Sequence, residues 1–223
     1  MPTVDNTKLV HVIYNRGDDF KSRTDIGSFG VADGVHEIEA GVFLDCINIK
    51  SLKGLSKSKV TKIGNNAFKG CSGITSLEGL PPTLTTIGKA AFYKCRGLTS
   101  LIGLPPTVTT IEERTFAGCT ALTSLEGLSP TLTTIGELAF VSCKGITSLA
   151  GLSSTVTSIG ECAFEYCEGI TSIGRGFNPD CSIDYYAFSG CDELLATARA
   201  KGYCGLPKIK EYGNEVWRVC NLR

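Results

Sequence analysis

The residues of this chain that could do chemistry are its eleven cysteines, its two histidines and a recurring pair of threonines. Cysteines offer disulfides or zinc. Zinc sites want Cys-x₂₋₄-Cys pairs, and Cys162/Cys167 is the one close pair, with no second pair or histidine near it in sequence. Seven of the cysteines (Cys46, Cys71, Cys95, Cys119, Cys143, Cys167 and Cys191) recur at a nearly constant interval, so all face the same way. That arrangement suits a small buried hydrophobe kept as a reduced thiol better than a ligand set. Cys162, Cys181, Cys204 and Cys220 fall off the interval and are expected nearer the surface. A Cys204–Cys220 bridge would matter only in an oxidising compartment.

His11 and His36 stand 25 residues apart near the N-terminus. Acid–base catalysis needs a positioned base with partners in a concave site. Neither histidine adjoins a Gly-x-Ser-x-Gly, a His-Glu-x-x-His or a phosphate-cradling glycine loop. The sequence therefore yields no catalytic, cofactor-binding or metal-ligating residue, and the chain reads as no enzyme.

Threonines pair as Thr83/Thr85, Thr107/Thr109, Thr131/Thr133 and Thr155/Thr157. Outward Thr-x-Thr pairs on successive layers would make a regular hydroxyl and methyl array, similar to the ice-binding faces of some β-solenoids. β-Branched residues also simply suit an exposed pleated surface beside their own kind.

The seven ladder cysteines and the threonine pairs obey one period, and that period dictates what must position them. Phe43, Phe68, Phe92, Phe116, Phe140, Phe164 and Phe188 are spaced 25 and then 24 residues apart, with each ladder cysteine three residues later. Leu77, Leu101, Leu125 and Leu149 keep the beat, as do Ile63, Ile87, Ile111, Ile135, Ile159 and Ile183. A period of this length held this long marks a solenoid, each unit one coil stacked on the next, with no coil able to bury its apolar side alone.

One coil, from Leu98, reads "LTSLIGLPPTVTTIEERTFAGCTA". Its apolar positions show no sustained helical stripe. The spacing predicts short extended segments, "LTSL" and "TVTTI", on either side of the corner "GLPP", where two prolines forbid a helix. "EERTFAGC" is short and ends on glycine, so it can form at most a helical turn or 3₁₀ piece. The recurring glycines, Gly64, Gly88, Gly136 and Gly160 in one register and Gly79, Gly103, Gly127 and Gly151 in another, turn corners.

The consensus "LxxLxGLPxTLTTIGxxAFxxC" resembles the BspA-type leucine-rich repeat, whose usual unit is "LxxIxIPxxVxxIGxxAFxxC", with one added residue per coil here. The likeness runs from about Ile38 to Cys191. It implies a curved β-rich solenoid of about seven 24-residue coils, a parallel sheet from the "LTSL" segments and a second, shorter ladder from "TLTTI". Members of that family include surface proteins of bacteria and protists that bind host or matrix proteins.

The ends leave the pattern. Residues 1–37 read as an N-terminal cap containing the alternating strand "KLVHVIYN", residues 38–191 as the solenoid and residues 192–223 as a C-terminal cap. In that last cap "DELLATARAKGY" reads as a helix begun by Asp192 and stopped by Gly202, and Trp217 as the residue that closes the final coil. Caps shield ladder edges that would otherwise associate, which leaves self-association open.

Composition narrows the function. With 22 basic and 22 acidic side chains the net charge is zero, which argues against nucleic acid and against a polybasic membrane anchor. No apolar run reaches the roughly 20 residues of a membrane-spanning helix, and the N-terminus lacks a signal-peptide core. An intracellular, soluble chain is the reading, with secretion or surface display as the alternative. On a constant frame, recognition belongs to the residues that change between coils. Glu78, Ile102 and Glu126 after the "TS" pair, with the aromatic Tyr93 and Tyr166, are the candidate partner-binding residues. The expected role is non-catalytic protein binding or scaffolding, with a surface adhesin and an ice-binding solenoid as alternatives.

Overall fold

The structure, a computed structural model, describes residues 9–172, 178, 180–184 and 186–194. The coils stack as a β-rich leucine-rich repeat solenoid with parallel ladders. At the N-terminal end β1 (Val10–Tyr14) pairs in parallel with β2 (Ile26–Val31). Each following coil contributes a two-residue strand: β3 (Glu37–Ile38), β4 (Lys62–Ile63), β5 (Thr86–Ile87), β6 (Thr110–Ile111), β7 (Thr134–Ile135), β8 (Ser158–Ile159) and β9 (Ser182–Ile183). These pair in register as β3-β4-β5 and β6-β7-β8-β9, Ile against Ile.

Two segments of each coil hold it to its neighbours, and their hydrogen bonds run in opposite senses. In the "TTIG" segment the later coil donates: Thr85 N–H to the Thr61 carbonyl at 2.9 Å, and Gly88 N–H to Ile63 at 2.8 Å. In the "AFxxC" segment the earlier coil donates: Asn66 to Lys89, Phe68 to Ala91 and Gly70 to Tyr93, at 2.9, 2.9 and 2.7 Å. This second segment is no helix. Left-handed residues bracket each phenylalanine, two before it (Ala90, Arg114 and Leu138, φ 54 to 56°) and two after it (Lys94, Ser142 and Tyr166, φ 57 to 59°). Outside glycine that conformation is disfavoured by roughly 1–2 kcal/mol, so the inter-coil bonds and the buried ring between them hold it in place.

The rings form the spine of the core. Phe43 to Phe188 are fully buried and stack nearly parallel, with centroids 5.2 to 5.7 Å apart. An earlier rung lies below them. Phe20 stacks on Phe43 at 5.4 Å, its N–H donates to Val42 at 2.9 Å, and its carbonyl accepts the Cys46 thiol at 3.0 Å. Sequence spacing concealed that rung, because the cysteine that marks the others is absent after Phe20.

The "LTSL" segments correct the sequence reading. They build no sheet: one isolated bridge, Ser148 to Ser172, is all the pairing there among the described residues. Each step keeps a bond at threonine, such as Thr99 N–H to Thr75 at 3.0 Å, and then the chain turns. The turn is made by serine, whose Oγ accepts the N–H two residues on: Ser100 from Ile102 at 3.1 Å, Ser124 from Glu126 at 3.3 Å and Ser148 from Ala150 at 3.0 Å. A side chain that satisfies a local N–H competes with the ladder and wins at this corner.

The Ile ladder breaks between β5 and β6. After most ladder isoleucines a glycine N–H donates to the coil below, as Gly136 does to Ile111 at 2.8 Å; Glu112 makes no such bond among the described residues. A Cβ at Gly88 would lie 2.8 Å from Asn65 N, so coils here approach to glycine distance. Glu112 puts a Cβ into that contact. Thr115, buried where the adjoining coils place alanine, also donates to the Glu112 carbonyl at 2.9 Å and the Gly88 carbonyl at 3.5 Å. Asp184 carries a Cβ at the equivalent place and keeps its bond to Ile159, so the two substitutions in this coil act together. The Phe92–Phe116 step, at 5.7 Å, is the widest of the regular stack.

Candidate functional site

Leu77, Leu101 and Leu125 are fully buried, and the residue after each projects outward before a left-handed glycine (Gly79, Gly103, Gly127; φ 102, 101 and 93°), with the serine turn at Ile102 and Glu126. This places Glu78, Ile102 and Glu126 in one exposed column on three successive coils. Ile102 is 51% exposed, among the largest apolar exposures of the described residues. The turn fixes its direction, since a Cβ on the Gly103 that follows it would stand 2.5 Å from the Glu78 nitrogen.

Tyr93 belongs to a second column. It is half-buried, with the Lys69 and Lys94 ammonium groups 5.3 and 5.1 Å from its ring centroid. Such contacts are worth about 0.5–1 kcal/mol at an exposed site. Tyr93 lines a shallow depression of about 430 Å³ with Asn65, Lys69, Lys89, Glu113 and Arg114. Glu113 pairs with Lys89 at 3.1 Å and also with Arg114. Tyr166, 51% exposed, lies three coils further along. The structure thus unites Glu78, Ile102 and Glu126, sets Tyr93 in a basic depression, and leaves Tyr166 apart from both. The lysines around Tyr93 were missed as candidates, although writing the coils one beneath another places Lys69 directly before Tyr93 in its column.

The residues with chemical potential are absorbed by the frame. Each ladder thiol donates to the phenylalanine carbonyl of the coil below, from Cys46 to Phe20 at 3.0 Å up to Cys191 to Phe164 at 3.2 Å. Burial pushes the Cys119 and Cys191 thiols up to about 12 and Cys46 up to about 11 from an ordinary 9.0. Cys162 rises to about 11 through burial first and the neighbouring Glu165 second. At neutral pH none of these is a thiolate, the reactive form. Among the described residues no group of histidine, cysteine and carboxylate side chains could hold a metal ion. His11 Nδ1 meets Ser28 Oγ at 2.8 Å and His36 Nδ1 meets the Lys59 carbonyl at 3.1 Å, two separate contacts with no shared partner. Cys204, Cys220, Trp217 and most of the expected C-terminal helix lie outside the described residues.

The threonines are also engaged. Thr85 Oγ1 donates to Thr61 O at 3.1 Å, Thr133 to Thr109 at 3.1 Å and Thr157 to Thr133 at 3.3 Å. Thr155 donates to Leu132 at 2.7 Å, and Thr107 and Thr131 likewise reach carbonyls of the preceding coil. The hydroxyls stitch coil to coil.

The model of the BspA-type leucine-rich repeat region matches residues 16–125 and 85–212, in six copies. The chain belongs to the BspA-type leucine-rich repeat family. Among solved structures it is similar to a leucine-rich repeat protein of T. pallidum, with 24% identity over 87% of this chain and 84% of that one and a TM-score of 0.63. A leucine-rich cell surface protein of Faecalibacterium prausnitzii is 21% identical over 79% of this chain and 63% of that chain, with a TM-score of 0.45. A Bacteroides ovatus leucine-rich repeat protein is 19% identical over 83% and 77%, with a TM-score of 0.42. No curated protein matches the chain. These likenesses concern the fold. For this BspA-type repeat chain, a protein-binding or surface-associated role is what family membership supports. No helix among the described residues is long and apolar enough to cross a membrane.

Proposed function

We propose that this chain is a non-catalytic protein-binding module, and that its partner docks on the Glu78, Ile102 and Glu126 column. The observation that supports this reading is Ile102: a large aliphatic side chain, half exposed, carried on a glycine-fixed turn between two carboxylates. A rigid apolar anchor ringed by charge is how protein interfaces concentrate their affinity, because the anchor desolvates and the rim sets the register. The matching partner surface offers an apolar recess flanked by cations. An ice-facing role for the threonines draws no support from hydroxyls already donated to the backbone of the preceding coil.

The test is affinity capture from native lysate with the intact chain, beside Ile102→Asp and Glu78→Lys/Glu126→Lys variants. A partner held by the native chain and lost by both variants, with thermal unfolding unchanged, is the expected result. Equal capture by all three removes the column from the interface.

A further inference from the structure

The column containing Tyr93 reads, one residue per coil, Lys69, Tyr93, Ala117, Val141, Glu165. Reversed end for end, cation meets anion and the aromatic ring meets the aliphatic side chain, while Ala117 at the centre is fully buried and adds no bulk between them. The neighbouring column, Asn65, Lys89, Glu113, Glu137, Glu161, follows the same rule at both ends, amide against carboxylate and then lysine against glutamate, while Glu113 at its centre faces its own copy with Arg114 beside it. Both columns line the one depression around Tyr93, so they share a face.

That face carries an electrostatic arrangement the chain itself does not neutralise. Lys69 and Lys94 have the Tyr93 ring for company and no carboxylate partner among the described residues' ion pairs. Glu113, Glu137 and Glu161 stack on successive coils, a spacing at which like charges repel. Lys89 and Arg114 satisfy Glu113, while Glu137, Glu161 and Glu165 have no ion-pair partner among the described residues. Uncompensated cations thus gather on the Phe68 and Phe92 coils, and uncompensated anions on the Phe140 and Phe164 coils. The sign changes at the Phe116 coil.

We propose that this face is an interface between two copies of the chain, related antiparallel by a twofold axis running across the Phe116 coil. Each column then faces itself in reverse, as an isologous contact requires. Lys69 of one copy meets Glu165 of the other, Lys89 meets Glu137, Asn65 meets Glu161, and Tyr93 packs on Val141. Every such pair occurs twice. The surface is distinct from the Ile102 column, so a dimer leaves that column open to its partner.

Charge exchange tests it. In about 0.1 M salt the native chain sediments as a dimer of its 23.7 kDa unit, and it dissociates as salt rises to about 1 M and the screening length falls from about 10 to about 3 Å. Lys69→Glu and Glu165→Lys each set two like-charge pairs in the interface and raise the dissociation constant about tenfold or more, which is about 1.4 kcal/mol. The double variant, Lys69→Glu with Glu165→Lys, restores the dimer, a readout that a misfolded single variant could not give. A native chain that stays monomeric at low salt overturns the proposal, as does a dimer indifferent to the single changes or not regained in the double one. A monomer that instead binds polyglutamate through Lys69 and Lys94 assigns the depression to an acidic peptide.

Discussion

The thiol of Cys95 donates a hydrogen bond to the carbonyl oxygen of Phe68, 27 residues earlier and one coil below, at 3.1 Å. That carbonyl already accepts the Cys71 N–H at 3.1 Å, so the thiol occupies its second lone pair in a buried stretch where water cannot reach. Six further thiols repeat the contact, which is why cysteine recurs three residues after phenylalanine. Alanine would leave the carbonyl with its backbone donor alone, losing one buried hydrogen bond worth about 0.5–1.5 kcal/mol.

Alkaline pH should therefore unfold the protein through these thiols. An unfolded thiol ionises near 9.0, whereas folded Cys119 does so near 12. Between those values the native state holds protons that the unfolded state has released, so stability falls as pH rises. It is complete below pH 9 and is lost toward about pH 12, at up to about 1.4 kcal/mol per pH unit for each thiol. Urea titrations at about pH 7 and about pH 10 should show the decline, and Cys119→Ala should flatten it while lowering stability at pH 7. Equal pH slopes in the two proteins would detach the thiols from the effect.

The phenylalanine spine should carry more stability than any surface feature. Phe140 is fully buried between Phe116 and Phe164, at 5.5 and 5.2 Å. Phe140→Ala should cost about 3–5 kcal/mol by the transfer and cavity terms. Its effect should exceed that of Lys144→Ala, which breaks an exposed pair with Glu168 worth about 0.2–1 kcal/mol. Thermal unfolding of the two variants orders them directly.

The break between β5 and β6 is local and should be repairable. Glu112→Gly with Thr115→Ala rebuilds the "IGxxAF" frame of the adjoining coils and lets residue 112 donate to Ile87. The gain of a hydrogen bond, about 1 kcal/mol, is offset by a similar backbone entropy for glycine. Global stability should then change by less than about 1 kcal/mol, while amide exchange at residue 112 slows markedly. Unchanged exchange would show that something other than these two side chains holds the strands apart.

Much of this was legible in the sequence because a stacked coil repeats its buried residues at a fixed interval. Phe92, Cys95, Leu101 and Ile87 all fall where the period put them, inside. What escaped was settled by hydrogen bonding, which has no periodic signature of its own. "LTSL" has the composition of a strand, yet the Ser100 hydroxyl takes the Ile102 N–H and turns it. Phe20 joins the spine without the cysteine that flags its successors. The candidate partner residues were legible only as exceptions to the frame: Ile102 is exposed as expected, whereas Tyr93 gains its meaning from Lys69, one coil below it.

Gly103 and Gly127 test whether the frame really aims the Ile102 column. Both have φ near +100°, at 101 and 93°. A Cβ on Gly103 would stand 2.5 Å from the Glu78 nitrogen and the Leu77 carbonyl carbon, and one on Gly127 2.4 Å from the Ile102 nitrogen. Both clashes are with backbone, so no side-chain rotation relieves them. Gly127→Ala must either push two coils apart or swing the Ile102 turn, adding about 1–3 kcal/mol of backbone strain. Its unfolding temperature should drop, and partner capture should weaken even in the population that remains folded. Ile102→Ala truncates the same side chain without touching the turn, and should leave stability within about 0.5 kcal/mol of the native value. A Gly127→Ala protein as stable as the native one would mean that the coils can slide at this corner, and the column could then not be a rigid anchor.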